Sequence, residues 1–321
     1  MFPNNLISVV IPAYNAEKYI ATTLQCILQQ SYSNIEIVVG NDGSTDGTLE
    51  IVKQFQANDN RILIDNHENI GVSKTVNRLC DIAKSEIIIR IDADDLMKID
   101  RIEKQVRYLH EHPEIDVVSC DAEFMNEKGD TFGYQAFKGF NSIEDNETAL
   151  ASNELIVIAQ SGLAIRKSAF WAVGGYDEDI AYAEDLDLFT RLLENGSKLI
   201  IIREPLLKYR LHASSAVANS KNLLRNQIYV ELIQMNLLRR RQGLPKMMFD
   251  DYVKQIEQES WVKKLHRKRI AIAFVAFRNA GAFIGNKKYF KALQMLVLSF
   301  FNNPMFFFKK TAKHFGNFLK R

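Results

Sequence analysis

The sequence predicts an α/β protein with a mostly parallel sheet, helices on both faces of the sheet, and a C-terminal helical extension. Two observations support this fold class. Short apolar strands alternate with helical stretches, as in sheets built from parallel strands with crossover helices. The run at residues 87–91 is rich in Ile without regular polar alternation, which is typical of a strand covered on both faces.

The N-terminal elements follow one another in regular order. The helix predicted at residues 17–30 carries apolar side chains at Ile20, Leu24, Ile27 and Leu28, which share one face. Strands are predicted at 6–11, 35–39, 61–64 and 87–91, and helices at 17–30, 48–56 and 71–83. Because ligands bind outside the carboxyl ends of such strands, we expect the polar loops that follow them to face one crevice.

The remaining elements are less regular. Residues 121–153 are weakly patterned and are predicted to form a loop and hairpin region of the kind that carries specificity. Strands are predicted at 117–120, 161–166, 198–202 and 206–211, and helices at 99–112, 167–173, 184–194 and from 219 onward.

Length and charge indicate two parts. A chain of 321 residues is long for one compact core, so we expect a main domain at residues 1–218 and an extension at 219–321. Residues 261–321 contain 14 Lys or Arg and no Asp or Glu, whereas residues 1–260 contain 27 basic and 39 acidic residues. An acidic body therefore carries a basic tail.

The cysteines and the apolar runs favour a cytoplasmic protein. The three cysteines form no CxxC pair, so we expect free thiols in a reducing compartment and neither a disulfide framework nor a zinc site. The N-terminus lacks the basic region and cleavage site of a signal peptide. No apolar run reaches about 18 residues, so no membrane span is predicted.

The stretch IIIRIDADD at residues 87–95 ends in three carboxylates within four positions. Such acids repel one another, and burying them unpaired is costly. A divalent metal that carries a phosphate would satisfy them. The alternative is that Asp94 or Asp95 caps a helix beginning near Met97, although a cap needs only one acid.

Several motifs in order resemble the family 2 glycosyltransferases with the GT-A fold. The resemblance covers about residues 6–215, and the motifs are VIPAYN at 10–15, NDGSTDGT at 41–48, NIGVS at 69–73 with Asn77, DADD at 92–95, GGY at 174–176, EDLDL at 184–188 and YRLH at 209–212. One such motif alone would be weak evidence for the family, but seven motifs in the same order are specific evidence for it. The chain departs from the family pattern at Val76, where many members have Arg, and it carries Arg90 before the acids. Both positions could affect the sugar nucleotide chosen.

The resemblance implies an inverting, metal-dependent transfer of a hexosyl group from a nucleotide diphosphate sugar to an acceptor hydroxyl. The donor would most simply be a UDP-sugar, and Mn²⁺ or Mg²⁺ would neutralise the diphosphate leaving group. Asp94 would be the direct metal ligand, Asp92 would contact the ribose or the metal's waters, and Asp95 would support them. His212 would contact the metal or the diphosphate, unless it is a structural histidine.

The resemblance also assigns a nucleotide-sugar pocket. Asp42 would accept a hydrogen bond from the N3–H of uracil or thymine, unless it merely forms an Asx turn beside Gly43. Tyr14 would line the base pocket, with ordinary packing as its alternative. The other residues assigned to the nucleotide sugar are Pro12, Ala13, Asn15, Gly71, Ser73 and Ala93.

Asp185 is the candidate general base, because an inverting transfer needs one carboxylate to take the acceptor's proton. Glu184, Gly175 and Tyr176 are expected on the acceptor side. The alternative is that the acids of residues 184–187 only complement the dipole of the helix that they begin. Asp187 is expected to pair with Arg191 at i,i+4.

The basic tail contains 11 of the 20 Phe residues. Basic, Phe-rich helices suit an anionic membrane, so we expect peripheral contact at the inner face of the cell membrane and access to a glycan or lipid-linked acceptor. Nucleic-acid binding is a competing interpretation, but no nucleic-acid motif accompanies the charge. A third is a helical subdomain that packs on the main domain or on a second copy in a homo-oligomer.

The expected function is therefore a glycosyltransferase of bacterial surface polysaccharide synthesis. A sugar-1-phosphate nucleotidyltransferase is an alternative, but that class carries a Gly-rich basic loop where this chain has PAYN at residues 12–15. A catalytically silent, membrane-associated binding protein is another. The presence of Asp42, Asp94 and Asp185 argues against loss of activity.

Overall fold

The computed structural model describes residues 4–212 and 223–318, with side chains up to residue 311. The chain divides into two compact units. The first comprises the described residues of Met1–Phe124 and Gly133–Arg210, and the second those of Met125–Phe132 and Leu211–Arg321. The boundary expected between residues 218 and 219 lies outside the described residues.

The first unit is built on one sheet. Its strands are β1 (Ile7–Ala13), β2 (Ile35–Asp42), β3 (Ile62–His67), β4 (Ile87–Arg90), β5 (Leu96–Met97), β6 (Val117–Met125), β7 (Thr131–Gln135), β8 (Ala164–Arg166) and β9 (Leu199–Arg210). Their order is β3-β2-β1-β4-β8-β6-β9-β5, and β7 pairs with β6. The last residues of β6 and the first of β7 belong to the second unit.

The first four strands form the parallel part of the sheet. Val9 in β1 lies opposite Ile37 in β2 and Ile89 in β4, and β2 pairs in parallel with β3. Antiparallel pairs begin at β8, where Ile165 faces Ile88 of β4 and Val117 of β6. The predicted α/β fold with a mostly parallel sheet is confirmed, and its carboxyl edge is formed by β1, β2 and β4 together.

Helices cover both faces of this sheet. They are α1 (Ile20–Leu28), α2 (Thr48–Asn58), α3 (Val72–Ile82), α4 (Arg101–Glu111), α5 (Ile143–Ala151), α6 (Lys167–Ala172) and α7 (Glu184–Glu194). Side chains alternate along each strand, so Val9 of β1 packs in the core with α1 and α4, whereas Val10 packs in the core with α3 and α7. Each face of the sheet therefore has its own apolar core.

The two strands expected at residues 198–202 and 206–211 are one strand, so that prediction is wrong. β9 runs without a break through Pro205, which lies between the two strands that the sequence predicted. Proline lacks a backbone N–H that could donate to a neighbouring strand. Because Arg203 and Glu204 are exposed at this point, the missing donor does not interrupt a buried hydrogen-bond ladder. Arg203 also donates hydrogen bonds to the carbonyl oxygens of Phe137 and Gly139.

Residues 121–153 are more regular than expected. β6 continues to Met125, β7 follows it, and α5 occupies Ile143–Ala151. The helix has little apolar periodicity because it is held by a buried polar side chain. Asn146 donates to the carbonyl oxygen of Leu199 at 2.9 Å and accepts from its N–H at 2.8 Å.

The second unit is helical. Its helices are α8 (Leu223–Arg241), α9 (Phe249–Glu257), α10 (Trp261–Gly285), α11 (Tyr289–Asn302) and α12 (Pro304–Phe318). The side chain of Asn126, in the β6–β7 hairpin, donates to the carbonyl oxygen of Gly285 at 3.2 Å. Among the described residues, no helix is long and apolar enough to cross a membrane.

Candidate active site

The loops that follow β1 and β2 are joined by hydrogen bonds. The backbone N–H of Asn15 donates to Ser44 Oγ at 3.0 Å, and the N–H of Thr45 donates to Asn15 Oδ1 at 2.8 Å. Asn15 has a positive φ of 50°, a conformation that asparagine tolerates better than most residues. The structure therefore brings together two of the loops that the sequence placed at one crevice.

Tyr14 lies at the surface of this joined region. Its exposed fraction is 54%, whereas neighbouring Ala13 is buried and Pro12 is half-buried. Ordinary core packing therefore does not account for the tyrosine.

Asp42 lies at the carboxyl end of β2 and is buried. Its Oδ1 accepts the N–H of Ile70 at 2.6 Å, and its Oδ2 accepts the N–H of Gly71 at 3.1 Å. These bonds reach the residues that begin α3, so a local Asx turn beside Gly43 is not what the structure contains. Asp42 thus fixes the start of α3, and its contact with a base remains a prediction.

Two other residues assigned to the nucleotide sugar help to place the loops. Gly71 has a φ of 88°, so the chain enters α3 through a conformation that favours glycine. Ser73 Oγ donates to the carbonyl oxygen of Ile180 at 3.0 Å, which ties α3 to the loop before α7.

The acid cluster, defined as Asp92, Asp94 and Asp95, does not cap a helix. The residues after it form β5, and α4 begins only at Arg101. The alternative that Asp94 or Asp95 caps a helix near Met97 is therefore wrong. Asp95 is buried, and its Oδ1 accepts the N–H of Arg210 at 2.8 Å.

Arg210, at the end of β9, contacts the acid cluster, although β9 is not a neighbour of β4 in the sheet. Its Nε donates to the carbonyl oxygen of Asp94 at 2.7 Å, and its guanidinium lies 4.6 Å from the ring centroid of Tyr19. The sequence motif at 209–212 contained this arginine, but only its histidine was considered for the site. No local pattern indicates that Arg210 returns to residues more than 100 positions earlier.

Arg90, which the sequence analysis expected only to influence the choice of sugar nucleotide, is a second arginine beside the acid cluster. It ends β4 and is 2% exposed. Its Nη2 donates to Asp92 Oδ1 at 3.0 Å, and its Nη1 donates to the hydroxyl oxygen of Tyr176 at 3.2 Å. Its guanidinium also lies 5.6 Å from the centre of the Tyr176 ring.

Glu184, the first residue of α7, is linked to the same tyrosine through Gln160. The amide nitrogen of Gln160 donates to the Tyr176 hydroxyl oxygen at 3.2 Å and to Glu184 Oε1 at 3.1 Å. Its two N–H groups can satisfy both acceptors at once. Together with Arg90, these contacts form a continuous path from Asp92 to Glu184.

The loop that carries Tyr176 is fixed by α3. Asn77 Nδ2 donates to the carbonyl oxygen of Tyr176 at 2.9 Å, and Asn77 Oδ1 accepts its N–H at 2.9 Å. Gly175 has a φ of 68°, and a Cβ there would lie 2.6 Å from Asn77 Oδ1. Gly174 also has a positive φ, of 76°, so both glycines adopt a conformation that favours glycine, and at Gly175 a side chain would in addition clash with Asn77.

Burial raises the pKa values of Glu184, Asp185 and Asp95. Burial, and then the neighbouring Asp185, raise the pKa of Glu184 to about 7. Burial also raises the pKa of Asp185, although the nearby charge of Arg90 works in the opposite direction. Burial is the largest cause that holds the pKa of Asp95 well above its usual range, and the negative charges of Asp94 and Asp92 add to it.

The acid cluster has the chemistry of a divalent-cation site. Its donors are hard carboxylate oxygens, and their mutual repulsion would be relieved by a cation. Within the described residues, no three Asp, Glu, His or Cys side chains are arranged to hold a metal on their own. Mg²⁺ is often held by one or two carboxylates and substrate phosphates, so this arrangement fits an ion that arrives with a diphosphate.

The other assigned residues have simpler positions. His212 is buried, lies two residues beyond β9 and belongs to the second unit, so its metal contact remains a prediction. The end of the resemblance, at residues 213–215, lies outside the described residues. Asp187 pairs with Arg191 at 2.6 Å, which confirms the expected i,i+4 ion pair.

Comparison with known proteins identifies the family. The sequence model described as "Glycosyl transferase family 2" matches residues 8–174, which is more than half of the chain. The chain belongs to this family. The Bacillus subtilis protein EpsE, whose name assigns it to the glycosyltransferases only provisionally, is 32% identical over 208 residues. These residues are 64% of this chain and 72% of EpsE.

Solved structures confirm the GT-A fold of this family member. TarS of S. aureus, solved in complex with UDP, matches with a TM-score of 0.56 at 16% identity, over 93% of this chain and 89% of that chain. The mannosyltransferase PcManGT of Pyrobaculum calidifontis, solved with GDP-Man and Mn²⁺, also has a TM-score of 0.56. Its identity is 19%, over 98% of this chain and 80% of that chain.

The raised pKa of Glu184 predicts a pH-dependent stability. Between the ordinary glutamate pKa and about 7, the folded state holds a proton that the unfolded state lacks, so folding stability falls as pH rises through this window. Glu184→Gln should therefore raise the free energy of unfolding by about 3 kcal/mol at pH 8 and much less at pH 4. Denaturant unfolding at both pH values measures this difference.

Glu147→Gln is the matched control, because Glu147 is exposed on α5. It should change stability little at either pH. Equal effects of Glu184→Gln at pH 4 and pH 8 would contradict the raised pKa.

Proposed function

We propose that this protein is an inverting, metal-dependent glycosyltransferase that uses a UDP-sugar. One observation carries the proposal. One hydrogen-bonded path through Arg90, Tyr176 and Gln160 joins Asp92 of the acid cluster to Glu184. Glu184 is the chain neighbour of Asp185 at the start of α7. A transfer site needs these two parts close together, one to bind the leaving group and one to take the acceptor's proton.

The donor half consists of the joined loops and the acid cluster. The exposed ring of Tyr14 is available to stack on a base, and Asp42 is held where β2 ends. Asp94 would bind the divalent cation together with the diphosphate, and Asp92 would contact the ribose or the ion's waters. When bound, the cation would neutralise the charge that develops on the diphosphate leaving group.

The choice of UDP is supported by the carboxylate at position 42, which suits the imide N–H of uracil. It is also supported by the structural similarity to TarS, which was solved with UDP. The Mn²⁺ in PcManGT supports a metal-dependent reaction. That protein was solved with a guanosine nucleotide, so a comparison of uridine and guanosine nucleotide sugars is a direct test of the UDP assignment.

Asp185 is the proposed general base. It is half-buried at the start of α7, and burial raises its pKa, which makes its carboxylate a stronger proton acceptor. Its Oδ1 accepts the N–H of Leu186 at 2.9 Å. The acceptor hydroxyl would lose its proton to Asp185 while its oxygen attacks the anomeric carbon from the face opposite the diphosphate, which inverts the configuration.

Asp185→Asn should abolish transfer and leave binding of UDP and Mn²⁺ within about twofold of the wild type. An amide cannot accept the proton, and we expect the cost to be at least about 10²-fold in turnover. Transfer can be followed by release of UDP, and binding by calorimetry. Turnover close to that of the wild type would show that another residue is the base.

Asp94→Ala should remove the Mn²⁺-dependent part of UDP binding, because the direct metal ligand is lost. Calorimetric titration of UDP with and without Mn²⁺ measures this loss. Asp100→Ala is the matched control, since Asp100 is a nearby acid that pairs with Lys104 at 2.8 Å outside the cluster. A metal-dependent UDP affinity that survives Asp94→Ala would refute the assignment.

The second unit supports contact with an anionic membrane surface. α11 packs its small residues inward, since Ala292 and Ser299 are buried and Ser299 Oγ donates to the carbonyl oxygen of Ala273 at 2.8 Å. Its large apolar residues face outward: Phe290 is 74% exposed and Phe301 is 68% exposed. The helix thus presents its most apolar face to solvent.

Charge and length indicate what covers this face. Residues 261–321 carry no acidic residue, and Lys287, Lys288 and Lys291 are exposed where α11 begins. A helix of 14 residues is about 21 Å long, too short for a hydrocarbon core of about 30 Å. We therefore propose that α11 lies in the surface of an anionic bilayer at the inner face of the cell membrane.

Other phenylalanines of the extension pack on one another. Phe306 lies 5.8 Å from Phe277 by ring centroids, and Phe307 lies 5.6 Å from Phe300. This part of the extension is a helical subdomain core, so the Phe-rich composition has two roles. A membrane-bound protein would reach a lipid-linked acceptor, which fits the proposed role in bacterial surface polysaccharide synthesis.

Replacing both Phe290 and Phe301 by Ser should weaken binding to vesicles that contain phosphatidylglycerol by at least about tenfold, because two exposed rings no longer enter the lipid. Vesicle flotation measures the binding, and phosphatidylcholine vesicles test the role of charge. Ile99→Ser is the control, since Ile99 is 64% exposed in the first unit. Unchanged vesicle binding, or a double variant that changes only the oligomeric state, would refute the membrane assignment.

A further inference from the structure

One buried guanidinium lies between the two groups of carboxylates. The side chain of Arg90 is 3% exposed, and it contacts Asp92 directly and Glu184 through Tyr176 and Gln160. Burial tends to lower the pKa of Arg90, but the surrounding acidic groups outweigh burial and raise it. The groups whose charge acts on it are Tyr176, Asp92, Glu184 and Asp185. Its positive charge is therefore retained at every physiological pH.

Packing alone does not explain an arginine at this position. Arg90 ends a strand whose other residues are isoleucines, and removing a guanidinium from water is costly. Its Nε has no hydrogen-bond partner among the described residues, so part of this cost is not recovered. An apolar side chain would fill the space more cheaply, which indicates that the charge itself has a role.

We propose that Arg90 is a positioning residue of the transfer reaction, which acts through Tyr176 and Gln160 to hold the Glu184 carboxyl group beside Asp185, and whose positive charge favours the ionised form of both carboxyl groups. This inference rests on the proposed function, in which Asp185 takes the acceptor's proton. Arg90 is a positioning residue because the hydrogen bonds of its guanidinium are to other side chains of the site. The same charge also neutralises Asp92, so one residue serves both halves of the site.

The contacts explain how the effect is transmitted. Arg90 fixes the hydroxyl of Tyr176, which leaves Gln160 oriented to donate its second N–H to Glu184. The positive charge also lowers the pKa of both Glu184 and Asp185 against the effect of burial. The negative charge of Asp92 raises the pKa of both carboxyl groups, and the Arg90 guanidinium is the positive charge that opposes this effect.

The test is a titration of the Glu184 carboxyl group in the full chain, by ¹³C NMR of protein labelled at the glutamate carboxyl carbon. The signal is assigned with Glu184→Gln. We expect a midpoint near 7 for the wild type and a rise of about one pH unit or more in Arg90→Gln. Arg90→Lys keeps the charge and should titrate close to the wild type.

Arg107→Met is the matched control, because Arg107 pairs with Glu103 on the exposed side of α4. It should leave the titration unchanged. Arg90→Met is a second neutral variant in case Arg90→Gln does not fold. A folded neutral variant in which Glu184 titrates as in the wild type would overturn the inference.

The titration needs no substrate, so the two proposals fail separately. If the Glu184 midpoint rises in the neutral Arg90 variants but the wild type transfers no sugar, the coupling between Arg90 and Glu184 stands and the proposed function is refuted. If the wild type transfers sugar but the Glu184 midpoint is unchanged in the neutral variants, the proposed function stands and the coupling is refuted.

Discussion

The concentration of negative charge at the carboxyl edge of the sheet is the constraint on which the site depends. The acid cluster follows β4, and Glu184 and Asp185 begin α7 beside it, so five carboxyl groups share a partly buried region. Such a group is tolerated only where fixed cations and hydrogen-bond donors are built in. Arg90 and Arg210 supply them, the first through its guanidinium and the second through its backbone N–H and its side chain.

The fold brings these groups together by simple means. The parallel strands β1, β2 and β4 end at one edge, and the loops after β1 and β2 are joined by side-chain to backbone hydrogen bonds. The tight turn at Gly175 presses the Tyr176 backbone against Asn77, which places the tyrosine hydroxyl between Arg90 and Gln160. The chemistry of the site therefore depends on backbone geometry as much as on its acids.

The features that the sequence predicted are those with a local pattern. The run of isoleucines before Asp92 indicates a buried strand, and the motif order indicates the family. The network through Arg90 has no local pattern, because Arg90, Gln160 and Tyr176 lie on a strand, a 3-10 turn and a loop that meet only in the folded chain. α5 was missed for a related reason: the buried amide of Asn146 docks it, so its sequence lacks an apolar stripe.

The central claim is that the acid cluster and the α7 carboxylates form one UDP-sugar transfer site. The most direct measurement incubates the purified full chain with Mn²⁺ and a panel of nucleotide sugars, and follows slow hydrolysis of each. The account predicts turnover of at least one UDP-sugar that is abolished by a chelator and restored by Mn²⁺. Turnover that survives chelation, or hydrolysis confined to guanosine-linked sugars, would contradict it.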